Sequence, residues 1–354
     1  MQFLSQFYES IFSAKTYKLS LDAGCTCPNR DGTKGTGGCI FCSESGSGDF
    51  ASSRNLSVKE QVAHAKKLVE SKVKGRSGKR AGTYIAYFQN FTSTYGEPKP
   101  LLAKYREALS CEDVKGLAIA TRPDCLGDEI LSGIATIAQE HFVQIELGLQ
   151  TSNETTGRLI NRCHANADYS DAVRRIRAAN PRIHIVTHLI FGLPGETRRD
   201  MLESVRFVVQ ENCRHRDSKS ESESESDCES ADSRNPRADT SNNPCADTCV
   251  DTSADSRACT GMPKSFFGLK ITVLYVVKNT RLAQMYEKGE IAPLSKDEYY
   301  SLLKETLSLL PESCVIHRLT GDPPKASLIA PLWTADKKRV LNEIRALCRD
   351  LTPQ

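Results

Sequence analysis

Fourteen cysteines occur in this chain of 354 residues, and four of them lie close together near the N-terminus: Cys25, Cys27, Cys39 and Cys42. The stretch between Cys27 and Cys39 is rich in glycine. A Cys-x2-Cys pair can bring two thiolates onto one metal centre with little backbone strain, and glycines let the chain pass close to a bulky inorganic group. All four thiolates could hold a structural zinc ion. Alternatively, three of them could hold a 4Fe-4S cluster and leave one iron open to a further ligand.

The sequence predicts a cytoplasmic protein with reduced cysteines. The N-terminal residues show neither a signal-peptide nor a transit-peptide pattern, and no apolar run approaches the roughly 20 residues that a membrane span needs. In a protein without a secretion signal, a tight cluster of cysteines favours metal binding over disulfides. The formal net charge of +3 is too balanced to indicate a nucleic-acid partner by itself. A secreted or membrane-spanning protein is therefore not expected.

Residues 214–263 differ in composition from the rest of the chain. They contain 6 Lys and Arg against 11 Asp and Glu, a net charge of −5, which leaves +8 for the remainder. Their only large apolar side chains are Val250 and Met262. Such a segment cannot bury enough apolar surface to offset its conformational entropy, so the sequence predicts a disordered insert. We interpret its four cysteines as part of a solvated loop, with half a metal site at Cys245 and Cys249 as the alternative.

Outside this insert, short β-rich runs alternate with amphipathic helical stretches. The sequence predicts strands at about residues 17–21, 83–87, 116–120, 143–147, 184–190, 269–275 and 314–318. It predicts helices at about residues 58–73, 98–109, 128–140, 168–179, 197–211, 281–288, 296–310 and 334–349. This alternation implies a parallel sheet, arranged either as a doubly wound sheet or as a barrel.

The cysteine-rich segment resembles a family pattern. Residues Leu21 to Cys42 match the pattern LDAG-x-TCPNRDGT-KG-x-GGC-x-FC of the YhcC-like family, in the Elongator-catalytic-subunit-like branch of the radical SAM superfamily. The resemblance implies that Cys27, Cys39 and Cys42 hold a 4Fe-4S cluster. Cys25 stands where the family normally has Phe, so the resemblance implies no role for it in the cluster. A zinc site that includes Cys25 stays the alternative.

Two further segments resemble motifs that bind S-adenosyl-L-methionine (SAM). Residues 84–95 match the segment where most radical SAM enzymes carry a Gly-Gly-Glu motif, so Gln89 or Thr92 would have to contact the methionine amino group of SAM. The pair Gln150 and Arg162 is similar to a pair in radical SAM coproporphyrinogen dehydrogenases. In those enzymes the pair contacts the ribose and the carboxylate of SAM.

Three more positions complete the predicted cofactor site. Thr121 lies in a Thr-Arg-Pro-Asp-Cys turn typical of the family. Residues 188–197 match a strand-five motif whose backbone packs on the adenine of SAM. The match implies that Gly192 contacts SAM and that His188 stands where the family commonly has a polar residue. Glu146 is predicted to point from its strand into the barrel, with a buried carboxylate that pairs with other charged groups as the alternative. The predicted cofactor-binding residues are Gln89, Thr121, Glu146, Gln150, Arg162, His188 and Gly192.

The resemblance covers nearly the whole chain outside the insert, including C-terminal signatures at residues 316–322 and 330–333. It implies an α/β fold: an incomplete (β/α)6 TIM-type barrel, the radical SAM core, with a C-terminal α/β extension. The implied boundaries are 1–24 for an N-terminal segment that leads into the first strand, 25–213 for the core, 214–263 for the insert, and 264–354 for the last barrel strand and the C-terminal extension.

The resemblance also implies a function. A radical SAM enzyme binds a 4Fe-4S cluster and SAM, and it reductively cleaves SAM to a 5′-deoxyadenosyl radical. The electron would come from a one-electron donor of the flavodoxin or ferredoxin type. Kinship with the Elongator catalytic subunit suggests tRNA modification, for which the charge of the core is weak support. The alternative from another class is a non-catalytic, zinc-stabilised module that binds nucleic acid or protein and uses Cys25, Cys27, Cys39 and Cys42.

Overall fold

The computed structural model describes residues 2–44, 46, 51–73, 82–217 and 267–350. Its strands are β1 (Gln2–Phe3), β2 (Thr16–Leu21), β3 (Thr83–Phe88), β4 (Val114–Thr121), β5 (Phe142–Gln150), β6 (His184–Phe191), β7 (Phe267–Val273), β8 (Val276–Val277), β9 (Cys314–Arg318) and β10 (Leu328–Ala330). Eight of them form one sheet in the order β1-β9-β7-β6-β5-β4-β3-β2, in which every neighbouring pair is parallel. Strands β8 and β10 form a separate antiparallel pair.

The helices are α1 (Leu4–Phe12), α2 (Val58–Val73), α3 (Pro98–Leu109), α4 (Asp128–Glu140), α5 (Glu154–Leu159), α6 (Asn166–Ala179), α7 (Arg198–Asp217), α8 (Arg281–Glu287), α9 (Lys296–Ser308) and α10 (Lys337–Asp350). Local signals fix several of their ends. Pro98 opens α3, and Ser295 forms a capping box with Glu298 at the start of α9. Within the described ranges, no helix has the length and apolar character that crossing a membrane requires.

The main sheet curls into a half-barrel. In a flat sheet, β2 and β5 would stand roughly 14 Å apart, because neighbouring strands are about 4.8 Å apart. Here Lys18 on β2 hydrogen-bonds to Glu146 on β5 at 2.5 Å, although β3 and β4 lie between these strands. The edge strands β1 and β2 do not pair with each other in the described part of the sheet, so the barrel is open on one side.

Alternation along the strands gives the half-barrel an apolar outside and a polar inside. On β5, four residues are buried in the core between the sheet and the helices: Val143, Ile145, Leu147 and Leu149. Successive side chains of a strand point to opposite faces, so the residues between them face the interior: Gln144, Glu146, Gly148 and Gln150. From Gln144 to Gln150, the side of β5 that faces the interior therefore carries polar groups.

Helix α1 closes the lower end of the half-barrel, where the strands begin. Its Phe7 and Tyr8 are both 3% exposed, and they pack with Phe142 at the start of β5 and Val315 on β9. The Tyr8 hydroxyl donates to Gln144 Oε1 at 3.0 Å. The sequence predicts only a segment that leads into the first strand, so this plug is a finding of the structure.

The predicted fold class is confirmed. Strands β2 to β7 and their helices form the incomplete (β/α)6 barrel, and β9 and β1 extend the same sheet to eight strands. The C-terminal extension contains α8, α9, α10 and the pair of β8 with β10. Of the predicted insert at 214–263, residues 214–217 complete α7, and the others lie outside the described residues.

Candidate active site

The half-barrel encloses a cavity of about 860 Å³. Nine of the ten predicted site residues line it: Cys27, Cys39, Cys42, Gln89, Thr121, Glu146, Gln150, Arg162 and His188. The tenth, Gly192, is not among the lining residues. It follows β6 with a φ of 86°, and an added Cβ there would come within 3.0 Å of Leu294. The fold therefore brings the predicted cluster ligands and most of the predicted SAM contacts to one space.

Three cysteines of the segment from Leu21 to Cys42 share this cavity. Cys27, Cys39 and Cys42 are free thiols that are partly exposed. Burial, together with the thiols of Cys42 and Cys27, raises the pKa of Cys39 to about 12, so the three groups are close enough to interact electrostatically. Thiols bind metals as thiolates, so a metal that binds here displaces their protons.

Polar contacts hold the loop that carries these cysteines. Asn161, which follows α5, donates from Nδ2 to the carbonyls of Thr36 (3.1 Å) and Gly38 (2.8 Å). From the other side, the Arg30 guanidinium donates to the carbonyl of Cys42 at 3.3 Å. Gly38 has a φ of 75°, and an added Cβ would lie 2.9 Å from Arg30 Nε. Glycine is therefore favoured at this position by its backbone conformation, and any other residue would also displace the Arg30 side chain.

Replacing Asn161 with glycine is expected to weaken the apparent affinity for iron during reconstitution by about 10- to 100-fold, because its two hydrogen bonds orient the cysteine loop. Glycine accepts the left-handed backbone of Asn161, whose φ is 55°, so the change removes the side chain without adding strain. The matched control is Asn279→Gly, at a left-handed position (φ 62°) that does not line the cavity. Equal iron binding by the two variants would contradict this role for Asn161.

Cys25 lies apart from the other three cysteines. Its side chain is 6% exposed and packs in the main apolar core, and burial raises its pKa to about 11. It does not line the cavity. A zinc site of four cysteines would need Cys25 beside the other three thiols, and its place in the core gives that site no support.

Glu146 lies at the floor of the cavity and is saturated with hydrogen-bond donors. Its carboxylate accepts from five side chains: Lys18 (2.5 Å), Gln144 (2.6 Å), Tyr87 (2.7 Å), His188 (2.7 Å) and Lys270 (3.1 Å). A carboxylate offers about four lone-pair sites, so a cofactor would find no free site on it. Burial raises the pKa of this carboxyl, but Lys18, Lys270 and His188 together outweigh burial and hold the pKa well below its usual range.

The pKa values of the groups around Glu146 are shifted as well. Burial lowers the pKa of Lys270 to about 7, although Glu146 opposes the shift. Burial, and next Lys270, lower the pKa of His188 to about 4, so this imidazole is neutral at neutral pH. Because an ionised carboxylate only accepts hydrogen bonds, the proton of His188 must sit on Nε2, the atom that faces Glu146.

Arg162 is 0% exposed, and all five of its N–H groups have protein acceptors. These acceptors are the carbonyls of Leu149, Thr151 and His164 and the side chains of Glu154 and Asn166. A contact with the SAM carboxylate, which the resemblance implies, would have to replace one of these bonds. Arg122 donates in turn to the carbonyls of Arg162 and Cys163. The two arginines thus brace the turn beside the cysteine loop.

Three other predicted contacts lie near the carboxyl ends of β3, β4 and β5. The Ser20 hydroxyl donates to Gln89 Oε1 at 3.2 Å, and Thr121 shares a hydrogen bond of 2.5 Å with Thr94. Gln150 has a φ of 66°, a conformation that is costly for a residue other than glycine and that clusters at functional sites. The carboxyl ends of the strands are where barrel enzymes bind their ligands.

The structure adds two lysines that the sequence reasoning missed. Lys18 and Lys270 line the cavity, and each lies within a strand, two residues before a second polar residue, Ser20 or Thr272. Since alternate residues of a strand share a face, a lysine at such a position must enter the interior of a barrel. This pattern is the signal by which both lysines could have been found.

Comparisons with known proteins identify the family to which the chain belongs. The model of the Radical SAM superfamily matches residues 32–208, and that of the Radical_SAM C-terminal domain matches residues 267–349. Protein YtqA of Bacillus subtilis is 35% identical over 94% of this chain and 84% of that protein. Protein YhcC of Escherichia coli is 30% identical over 92% of this chain and 85% of that protein.

A solved structure shares the fold. The archaeal Elp3 of Methanocaldococcus infernus, with an N-terminal deletion, matches with a TM-score of 0.55 and 14% identity, over 94% of this chain and 64% of that chain. At this identity the likeness concerns the fold alone. The superfamily model, by contrast, matches half of the chain, and both bacterial relatives match over most of their length. The chain therefore belongs to the radical SAM superfamily, within the YhcC-like family, and is a radical SAM enzyme.

Proposed function

We propose that this chain binds a 4Fe-4S cluster through Cys27, Cys39 and Cys42 and binds SAM at the iron that no cysteine holds. The observation that supports this proposal most strongly is that these three thiols line the cavity, whereas Cys25 does not. Thiolates are the usual protein ligands of iron–sulfur clusters, so the donor set fits. When bound, the cluster and SAM supply a 5′-deoxyadenosyl radical that removes a hydrogen atom from the substrate.

The residues near the carboxyl ends of the strands would bind and orient SAM. In this proposal Gln89 contacts the amino group of SAM and Gln150 contacts its ribose. Thr121 lies at the end of β4, between β3 and β5, whose carboxyl ends lie at Gln89 and Gln150. Arg162 would act by positioning the turn beside the cysteine loop, because its N–H groups are already engaged. Arg122 lowers the pKa of Cys39 against the effect of burial, so it favours the thiolate form that iron requires.

Anaerobic reconstitution with iron and sulfide tests the cofactor assignment. The chain is expected to take up roughly four irons and four sulfides, and addition of SAM is expected to change the electron paramagnetic resonance spectrum of the reduced cluster. Metal analysis of the protein as purified without air distinguishes the alternative. Stoichiometric zinc in a colourless protein that takes up no iron would overturn the proposal.

We propose that the chain acts in the cytoplasm and receives its electron from a one-electron donor of the flavodoxin or ferredoxin type. We also propose RNA as the substrate. Support for RNA comes from the resemblance to the Elongator branch and from the net charge of +8 outside residues 214–263. Nucleosides from digested total tRNA can be compared by mass spectrometry between cells with and without this chain. A nucleoside restored by the wild-type chain but not by Cys39→Ala supports RNA, and identical nucleoside profiles overturn it.

A further inference from the structure

Lys18 and Lys270, the two lysines at the cavity floor, have more N–H donors than there are hydrogen-bond acceptors around them. Lys18 Nζ has one acceptor among the described residues, Glu146 Oε1 at 2.5 Å. Lys270 Nζ has two, Glu146 Oε2 at 3.1 Å and the Tyr87 hydroxyl at 3.3 Å. When both lysines are protonated, each ammonium carries three N–H groups, so three of the six N–H groups have no oxygen or nitrogen acceptor in the part of the chain that the structure describes. Beyond these bonds, the two Nζ atoms contact only the face of the Tyr87 ring, 4.8 Å and 5.6 Å from its centroid, among the described residues.

Glu146 cannot supply the missing acceptors. Its two oxygens already accept from five side chains, which exceeds the roughly four lone-pair sites of a carboxylate. Its single negative charge also cannot balance two ammonium groups. One lysine would suffice to neutralise this carboxylate, so the second lysine has no counterion within the described residues.

A third cation faces the same floor. Arg318, the last residue of β9, lines the cavity, and its charge lowers the pKa of both Lys18 and Lys270. No acceptor for its guanidinium lies among the described residues. Over the whole cavity, lysine and arginine side chains outnumber carboxylates seven to two. The floor is therefore a cationic surface that opens onto the space below the cysteine loop.

We propose that Lys18, Lys270 and Arg318 bind an anionic group of the substrate, a carboxylate or a phosphate. Lys18 and Lys270 each lie three residues before the end of their strand, roughly 10 Å below the carboxyl ends at a rise of about 3.3 Å per residue. A substrate held there by its anionic group presents its next atoms to the middle of the cavity. That the anion belongs to a substrate rests on the proposed function; that the floor binds an anion rests on its charges alone.

The anion should bind more tightly as the pH falls. Burial lowers the pKa of Lys270 to about 7, and an anion favours its protonated form. Binding is therefore strongest below pH 7 and weakens as the pH rises through 7. The groups that face Lys270 are Glu146, Tyr87, His188, His317, Lys18 and Arg318. Glu146 stays ionised and His188 neutral between pH 6 and 8 because their pKa values lie below that range. Burial, and next His184, hold the pKa of His317 well below its usual value, so His317 is neutral in this range.

Calorimetry on the holoprotein tests the proposal, with SAM bound and the cluster kept oxidised so that SAM is not cleaved. Acetate and inorganic phosphate serve as separate probes, and acetate also serves for the pH series because its charge is constant between pH 6 and 8. We expect Lys270→Gln to weaken binding of the preferred probe about tenfold or more, and Lys270→Arg to restore most of it. The matched control is Lys288→Gln, an exposed lysine outside the cavity.

The outcomes separate this inference from the proposed function. Tighter binding of acetate identifies a carboxylate site, and tighter binding of phosphate identifies a phosphate site. Equal affinity in the wild-type chain and Lys270→Gln, or no binding of either probe to the wild-type chain, would overturn the inference. Anion binding that depends on Lys270 in a protein that never cleaves SAM would instead leave the inference standing and count against the proposed function.

Discussion

Replacing any one of Cys27, Cys39 and Cys42 with alanine is expected to reduce the iron content after anaerobic reconstitution from roughly four atoms per chain to background. Each thiolate holds one iron, so the loss of one leaves a second iron open to solvent and the cluster unstable. Formation of 5′-deoxyadenosine from SAM should fall to background as well. Iron and acid-labile sulfide are measured on the same samples as the nucleoside.

Cys25→Ala is the matched control, because it removes a thiol two residues from Cys27 that lies in the main core. We expect this variant to keep its iron and to lose about 1 kcal/mol of unfolding free energy, the cost of a small void in a packed core. Loss of iron from Cys25→Ala would show that the assignment of ligands is wrong. So would full iron content in a variant of one of the other three cysteines.

Glu146→Gln is expected to lower the unfolding free energy by about 3 kcal/mol, because removing one partner of a buried ion pair leaves the remaining charges without compensation. The side chain of Glu146 is 0% exposed, and those of Lys18 and Lys270 are 19% and 12% exposed. Denaturant unfolding at neutral pH measures the loss. The control is Glu203→Gln, which removes a carboxylate from a surface pair with Arg206 and should change stability little.

The effect of Glu146→Gln should depend on pH. The folded pKa of Glu146 is held well below its ordinary value, so its contribution to stability is fully present above the unfolded pKa, about 4.3. It is lost as the pH falls from there toward the folded pKa. Glu146 also raises the pKa of Lys270, which is about 7 in the folded chain, so Lys270 loses its proton at a lower pH in Glu146→Gln. The stability difference between the wild-type chain and Glu146→Gln should therefore grow as the pH falls from 8 through 7, and shrink once the pH falls below about 4.3. A difference that keeps growing below pH 4 would contradict this account of the floor.

The sequence predicts most of the barrel because local periodicity determines it. The helices at 58–73, 98–109 and 128–140 have the predicted bounds, since each carries a clear apolar face between polar turns. The sequence patterns do not predict helices α1 and α5. α1 is nine residues long. Its apolar side chains pack on the first residues of strands that are distant in sequence, and no local sequence pattern reveals such a contact.

The candidate site also has a part that the sequence predicts and a part that it does not. Spacing and family resemblance identify Cys27, Cys39 and Cys42, because a cluster imposes a local sequence pattern. The cationic floor depends on the curl of the sheet, which brings β2, β5 and β7 together across the interior. The engagement of Arg162 with the carbonyls of Leu149 and Thr151 likewise depends on how α5 packs, so a sequence motif shows the arginine but not its partners.

Formation of 5′-deoxyadenosine tests most directly whether this chain cleaves SAM reductively. The reconstituted chain is incubated without oxygen with SAM and dithionite, in the presence and in the absence of total tRNA, and the nucleoside is quantified by liquid chromatography. The account predicts 5′-deoxyadenosine from the wild-type chain and none from Cys39→Ala. A wild-type chain with an intact cluster that forms no 5′-deoxyadenosine under either condition would contradict it.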